Sequence, residues 1–277
     1  MAKVWLGPAG IPKIVKRAKD AVDAVRVVKE LGLNAMEVEF VQGVRMRAEL
    51  AEKVGEEARK NGVRLSVHAP YFINLCSDEP EKLEASVRRI LDSVDRAHRM
   101  GAKIVVVHAA YYGKLGPEKC YEQVKQKLGE IVDEIEREGI DDVDIGVEIT
   151  ARNNQFGSVE EAFSLAKELK HVKPVIDWGH LFARNDGRID YGAVLDLWRN
   201  EFGDEVMHTH FTSVKYRNGK YVDEHEPISI NAPPFEPLAE ELGKRDMEIA
   251  LICESPLLEQ DALLMKEILS KYGVRLA

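Results

Sequence analysis

Cysteine is scarce in this chain: Cys76, Cys120 and Cys253 are the only three in 277 residues, scattered and without a Cys-x-x-Cys pair. This points away from a disulfide framework and a thiolate zinc site, and leaves the three as expected small buried apolar residues. Long apolar runs are also missing. None approaches a membrane span, and Met1-Ala2-Lys3-Val4-Trp5 lacks the longer apolar segment of a signal peptide. The expectation is a soluble, cytoplasmic protein with no membrane partner. Gly/Pro/Ser-rich stretches are few, so no disordered tail or long linker is expected. A basic excess is absent too: 39 Lys+Arg against 48 Asp+Glu gives a net charge of −9, which argues against a basic coat for nucleic acid but leaves room for a locally positive cleft. No Gly-x-Gly-x-x-Gly follows the first apolar strand, which counts against a doubly wound dinucleotide fold.

What is present is an alternation of strand and helix patterns. Strands are expected at 3–6, 35–40, 63–67, 102–107, 144–148, 172–176, 205–211 and 249–253. Helices are expected at 11–31, 45–61, 80–100, 118–138, 158–169, 191–202, 235–242 and 259–272, with Ser158 and Glu161 forming a capping box. About eight β-α units in 277 residues predict one domain over residues 1–277, an α/β fold of the single (β/α)8 TIM-barrel class with the active site at the C-terminal end of the strands.

The polar residues collect at those ends. His68, His108, Glu148, Asp177, His210 and Glu254 close strands three to eight in succession. Two further groups lie in the adjoining segments: Asp177-Trp178-Gly179-His180, and Asp223-Glu224-His225 on an arm that returns after the turn signal Arg217-Asn218-Gly219-Lys220. In an extended Asp223-x-His225 both side chains point to one side and can share an ion. His208, one alternation from His210, reads as a group behind the ligands, and His98 and His171 read as solvent-exposed. Imidazoles and carboxylates without thiolates suit zinc, with manganese or iron in an oxygen-rich subsite. Nine donors exceed what one ion holds, so about three ions at three or four protein ligands each is the natural division. Clustered divalent ions suit phosphoryl chemistry, and three of them against four carboxylates leave a pocket of about +2 that would attract a phosphodiester to an acidic protein.

Val67-His68-Ala69-Pro70-Tyr71-Phe72-Ile73-Asn74-Leu75, the strand-end His108, Glu148 with Thr150, Asp177-x-x-His180, His210 with Lys215, Asp223-x-His225 and Glu254-Ser255-Pro256 together resemble the endonuclease IV family of AP endonucleases. The order and spacing match over most of the chain. The resemblance implies cleavage of damaged DNA on the 5′ side of an abasic site, leaving a 3′-hydroxyl, with no protein partner implied. It also implies His68 and His108 on one zinc, with Glu148 bridging to a second held by Asp177, His210 and Glu254. His180, Asp223 and His225 would hold the third. Glu148 and Glu254 would further orient or deprotonate the attacking water. The loop after the second strand, Phe40-Val41-Gln42-Gly43-Val44-Arg45-Met46, lacks the family's Asn-Pro-Arg and Trp pattern, with Arg45 as a substitute. Glycine-rich runs are replaced after Glu148 and His225. The metal core is thus kept and the DNA grip altered, with Tyr71, Arg45, Arg152 and Lys215 as candidate substrate contacts.

A second resemblance, to sugar isomerases and epimerases of the wider xylose isomerase-like superfamily, implies one divalent ion on Glu148, Asp177, His210 and Glu254. It explains the altered loops but leaves the other five donors without a role. A metal-dependent binding or scaffold protein is the third class, weakened by a ligand set in which no position has been replaced.

Overall fold

Strands and helices alternate along the whole computed structural model, which describes residues 1–13 and 20–277. In chain order the elements are β1 (Lys3–Pro8), α1 (Ala21–Glu30), β2 (Ala35–Glu39), α2 (Ala48–Asn61), β3 (Arg64–His68), α3 (Pro80–Met100), β4 (Ile104–Val107), α4 (Gly116–Arg137), β5 (Asp144–Glu148) and α5 (Val159–Glu168). Then come β6 (Val172–Asp177), α6 (Trp178–Arg184), α7 (Tyr191–Phe202), β7 (Met207–Phe211), β8 (Ser213–Arg217), β9 (Lys220–Glu226), α8 (Glu236–Gly243), β10 (Glu248–Cys253), α9 (Glu259–Lys271) and β11 (Arg275–Leu276). The repeat is (β/α)8, with the β8–β9 hairpin inserted between the seventh strand and its helix. The expected first helix is shorter than its pattern: Ile11–Lys13 are not helical, Ile14, Val15 and Ala18 lie outside the described residues, and α1 starts behind Asp20, whose carboxylate accepts from Val22 N and Asp23 N.

The chain forms two compact units: Met1–Glu37 with Lys60–Arg64 and Ile176–Ala277, and Val38–Arg59 with Leu65–Val175. In the first, β1 pairs in parallel with β10 from Lys3↔Glu248 to Pro8↔Cys253, and β10 with β7 from Ile249↔Met207 to Cys253↔Phe211. The end of β6 joins β7 with Asp177 opposite His210. Val4, Leu6, Ile249 and Leu251 are buried, as is the Ala262, Met265 and Leu269 stripe of α9, which lies against β1 and β10. A strand covered on both faces has no reason to alternate polar and apolar residues, and these do not.

In the second unit β3, β4, β5 and the start of β6 are parallel neighbours, with Val67↔Val105, Val107↔Val147 and Glu148↔Val175 in register. All four residues of β4 are buried. Helix α3 lies against β4 and buries Ile90, Val94 and Ala97, the three-and-four spacing of an amphipathic helix. The capping box predicted for α5 is present: Glu161 N donates to Ser158 Oγ at 3.2 Å and Ser158 N to Glu161 Oε2 at 2.9 Å.

Two expectations are corrected here. Cys76 and Cys120 are joined in a disulfide with Cα atoms 5.4 Å apart, although 44 residues separate them in sequence; only Cys253 is the free, buried thiol expected. Nothing in residue spacing marks such a pair, because the turn before α3 and the start of α4 meet only in the folded unit. His171 is largely covered rather than exposed, its ring set between Asp144 at 3.4 Å and Glu136 at 3.7 Å; His98 is exposed as expected and pairs with Asp142.

Candidate metal-binding site

In the second unit three successive strand ends bring His68, His108 and Glu148 together. His68 closes β3, His108 follows β4 and Glu148 closes β5, so parallel register alone makes them neighbours. His68 Nε2 lies 3.3 Å and His108 Nε2 2.6 Å from the same oxygen, Glu148 Oε2. His68 and Glu148 are buried and His108 is partly open. The other nitrogen of His68, Nδ1, donates to the Ala69 carbonyl at 2.8 Å. Tyr71 stands beside the pair, its ring centroid 5.6 Å from His68 and 6.3 Å from His108, and it is 50% exposed, with Phe72 next to it at 64%.

The first unit holds the remaining donors. Asp177 ends β6, and its Oδ1 accepts from His180 N at 2.6 Å and starts α6, a helix outside the ranges that the sequence pattern predicts. Gly179 permits this: a Cβ there would meet the Thr212 carbonyl oxygen at 2.8 Å, so only glycine lets α6 begin this close to the end of β7. His180 Nε2 is thereby brought 3.1 Å from Asp223 Oδ1. Asp223 lies at an irregularity of the hairpin, where Val214 pairs with His225 and Lys215 with Val222, leaving Asp223 and Glu224 unopposed. The hairpin turn is the expected one, with Asn218 and Gly219 both at positive φ. Bulges of this kind re-aim side chains. Here His225 Nε2 comes 3.6 Å from Asp223 Oδ1 while its Nδ1 donates to the Glu254 carbonyl at 3.0 Å. His210 Nδ1 lies 3.3 Å from Glu254 Oε1 at the end of β10.

Electrostatics mark the same residues. Burial pushes the Asp223 carboxyl up, but the hydrogen bond from His180 and the nearby His225 imidazole outweigh it and hold the group well below the usual carboxylate range. Burial pulls the His225 imidazole down, yet the Asp223 carboxylate and the nearby charges of Glu254 and Asp177 raise it to about 9. The donor chemistry therefore fits divalent ions. When Nδ1 of His68 or His225 donates to a carbonyl, the lone pair on Nε2 faces a carboxylate oxygen, and two lone pairs that close need a proton or a cation between them. Imidazole nitrogens and carboxylate oxygens without thiolates are the ligands of zinc and its first-row neighbours.

Sequence reasoning missed Glu37. It sits in β2 between the buried Met36 and Val38, is itself fully buried, and lies 3.0 Å from both His208 Nε2 and His210 Nε2. Burial raises its carboxyl, but the charge of His210 close by and the hydrogen bond from His208 take it well below the usual range. The available signal was an acid flanked by apolar Met36 and Val38 within a strand, with the second acid, Glu39, at the strand's end. Ser255, adjacent to Glu254, turns away from the ligands and donates to Asp261, which also accepts from Ile228 N at 2.9 Å. Trp178 packs edge-on against Tyr191. Of the candidate substrate contacts, Arg45 and Arg152 are exposed, while Lys215 is drawn to Glu224 at 3.2 Å and Glu226 at 3.8 Å along the hairpin.

Strand-end donors that could hold metal ions, set on a (β/α)8 repeat, define the class by its fold, a TIM barrel. The chain belongs to the xylose isomerase-like TIM barrel family, whose model matches residues 25–271. It is 35% identical over 266 residues to an uncharacterized protein of Methanocaldococcus jannaschii, covering 94% of each chain. It is 27% identical over 192 residues to a probable endonuclease 4 of Oceanobacillus iheyensis, covering 66% of this chain and 63% of the relative. Among solved structures, a D-tagatose 3-epimerase-like protein is similar with a TM-score of 0.71 at 22% identity, covering 96% of this chain and 97% of the other. That last likeness speaks to the fold alone. Among the described residues, no helix is long and apolar enough to cross a membrane.

Proposed function

We propose that this protein is a cytoplasmic, zinc-dependent phosphodiesterase that cleaves DNA on the 5′ side of abasic sites with about three ions per chain. The observation that carries the reading is the pair of clusters His68–His108–Glu148 and His180–Asp223–His225. Five of their six members have no role in a single-ion isomerase, and within each cluster the donor atoms lie within 4.8 Å of one another. Asp177, His210 and Glu254 supply the third ligand set. The sequence relationship to an endonuclease 4 supports the same reading. Manganese or iron in one subsite is compatible with these donors.

When bound, clustered divalent ions neutralise phosphate oxygens and make water a better nucleophile near neutral pH. The chain's own part is to aim and to move protons. Glu148 and Glu254 orient the attacking water and accept its proton. Tyr71, half exposed beside the histidines, offers a face for stacking on an unpaired nucleotide, and the exposed Arg45 and Arg152 meet phosphates. Lys215 reaches substrate by leaving its hairpin carboxylates.

The second reading is sugar epimerisation or isomerisation on one ion held by Glu148, Asp177, His210 and Glu254, with the two glutamates moving protons at neighbouring carbons. The replaced DNA-contacting loops favour it. Divalent-metal content of the tag-free chain, followed by incubation with an abasic-site duplex, separates the two. About three zinc ions with cleavage 5′ to the lesion supports the nuclease; a single ion with no cleavage and turnover of a ketose supports the epimerase.

A further inference from the structure

We infer that Glu37, braced by His208, is a positioning residue that holds His210 with its proton on Nε2 and its Nδ1 lone pair free to bind metal. This rests on the metal reading above. Each carboxylate oxygen of Glu37 has its own imidazole: Oε1 lies 3.0 Å from His210 Nε2, and Oε2 accepts from His208 Nε2 at 3.0 Å. The far nitrogen of His210, Nδ1, faces Glu254 Oε1 at 3.3 Å, and Asp177 on β6 is the register partner of His210. The backbone of Glu37 is fixed at the end of β1, where its carbonyl accepts from Gly10 N at 2.9 Å and Ala9 bridges to it. The side chains of Glu37 and His210 are fully buried and that of His208 is 4% exposed.

A carboxylate and two imidazoles taken out of water gain little net stability, because desolvation consumes most of their attraction. Their retention inside β2 and β7 calls for another role. Metal-bound histidines commonly donate their second N–H to a carboxylate, which fixes the tautomer and the ring angle and makes the ligand nitrogen more basic. Glu37 stands where that carboxylate belongs. Two of the other proposed ligand histidines use backbone carbonyls for this purpose, Ala69 for His68 and Glu254 for His225, whereas His210 has a carboxylate at that position.

The test compares wild type, Glu37→Gln, His208→Gln and His208→Leu as full-length chains. Each is stripped of metal and titrated with zinc against a chromogenic chelator, and wild type is also labelled with 15N at histidine. Glu37→Gln should weaken one ion by about 10–100-fold and leave the others unchanged. His208→Gln, which keeps a donor toward Glu37, should bind like wild type, whereas His208→Leu should show a smaller loss at the same ion. The zinc-loaded wild type should show His210 bound through Nδ1 with Nε2 protonated. Unchanged affinities in Glu37→Gln and His208→Leu would overturn the inference, as would zinc on Nε2. A wild-type ion held by Glu37 itself, lost outright in Glu37→Gln, would also overturn it. Failure of wild type to bind zinc at all would overturn the metal reading and this one with it. Should Glu37→Gln fail to fold, the two His208 variants and the 15N spectrum decide.

Discussion

Asp223→Asn is the most informative single change, because it keeps the shape of the hairpin arm and removes one charge. Asp223 Oδ1 lies 3.1 Å from His180 Nε2 and 3.6 Å from His225 Nε2, so it is the only anion of its ligand set. Changing a residue merely behind a ligand costs about 10–100-fold in metal affinity, so losing the charged ligand itself should cost at least about 100-fold for that ion. The other ligand sets share no atom with it and should keep their affinities. Dialysis against buffered free zinc followed by metal analysis should therefore give one ion fewer than wild type. In the metal-free chain the same substitution removes the main support for the raised imidazole of His225, whose midpoint should fall from about 9 toward the ordinary imidazole range. Proton NMR of the His225 ring follows this directly, and circular dichroism checks that the fold is intact. An unchanged ion count with an unmoved His225 midpoint would refute the assignment of Asp223 as ligand and charge partner.

Further outcomes follow from the same structure. His108→Ala should lose the ion of the His68 and Glu148 set together with phosphodiesterase activity, measured by metal content and cleavage of an abasic duplex; full retention of both would sink that cluster. Since His225 is raised to about 9 in the folded, metal-free chain, its pairing contributes fully below the ordinary imidazole value of about 6.5 and is lost as pH climbs through 9. The metal-free stability gap between wild type and Asp223→Asn should accordingly narrow between pH 7 and about 10, read by denaturant unfolding. Cys253 is buried, which pushes its thiol up, so a thiol reagent should find none in the native chain, one after unfolding and three after unfolding with reductant. Breaking the disulfide across its 44-residue separation should cost up to about 4 kcal/mol of stability. Ser158→Ala should cost about 1 kcal/mol by removing one half of the α5 capping box, seen as a lower melting temperature.

The features legible in the sequence are those written in neighbouring residues. Strand and helix order follows from period and punctuation, and the capping box at Ser158 and the Asn218-Gly219 turn are local chemistry that the fold only has to tolerate. Strand-end donors were legible for a second reason: in a parallel sheet, residues at successive strand ends become neighbours without any further information, as His68, His108 and Glu148 do. What stayed hidden depends on long-range approach. The α6 turn exists because Gly179 fits under Thr212, and the Cys76–Cys120 bond joins segments whose meeting no spacing encodes.

Glu37 belongs to neither group, and it shows where sequence reasoning can be extended. A carboxylate between Met36 and Val38 in a buried strand breaks the hydrophobic pattern, and burying an ionised acid without partners would cost several kcal/mol. A sequence that carries such an acid must supply cations or donors elsewhere. His208 and His210, on one face of β7 by simple alternation, were already the only pair of histidines two residues apart in the chain. The cost of burying that charge therefore ties Glu37 to the two histidines from the sequence itself. The same logic makes the acid the more telling member of the group: His208 has other uses in a core, but an ionised glutamate inside a strand is retained only where its charge is answered, and here two imidazoles answer it.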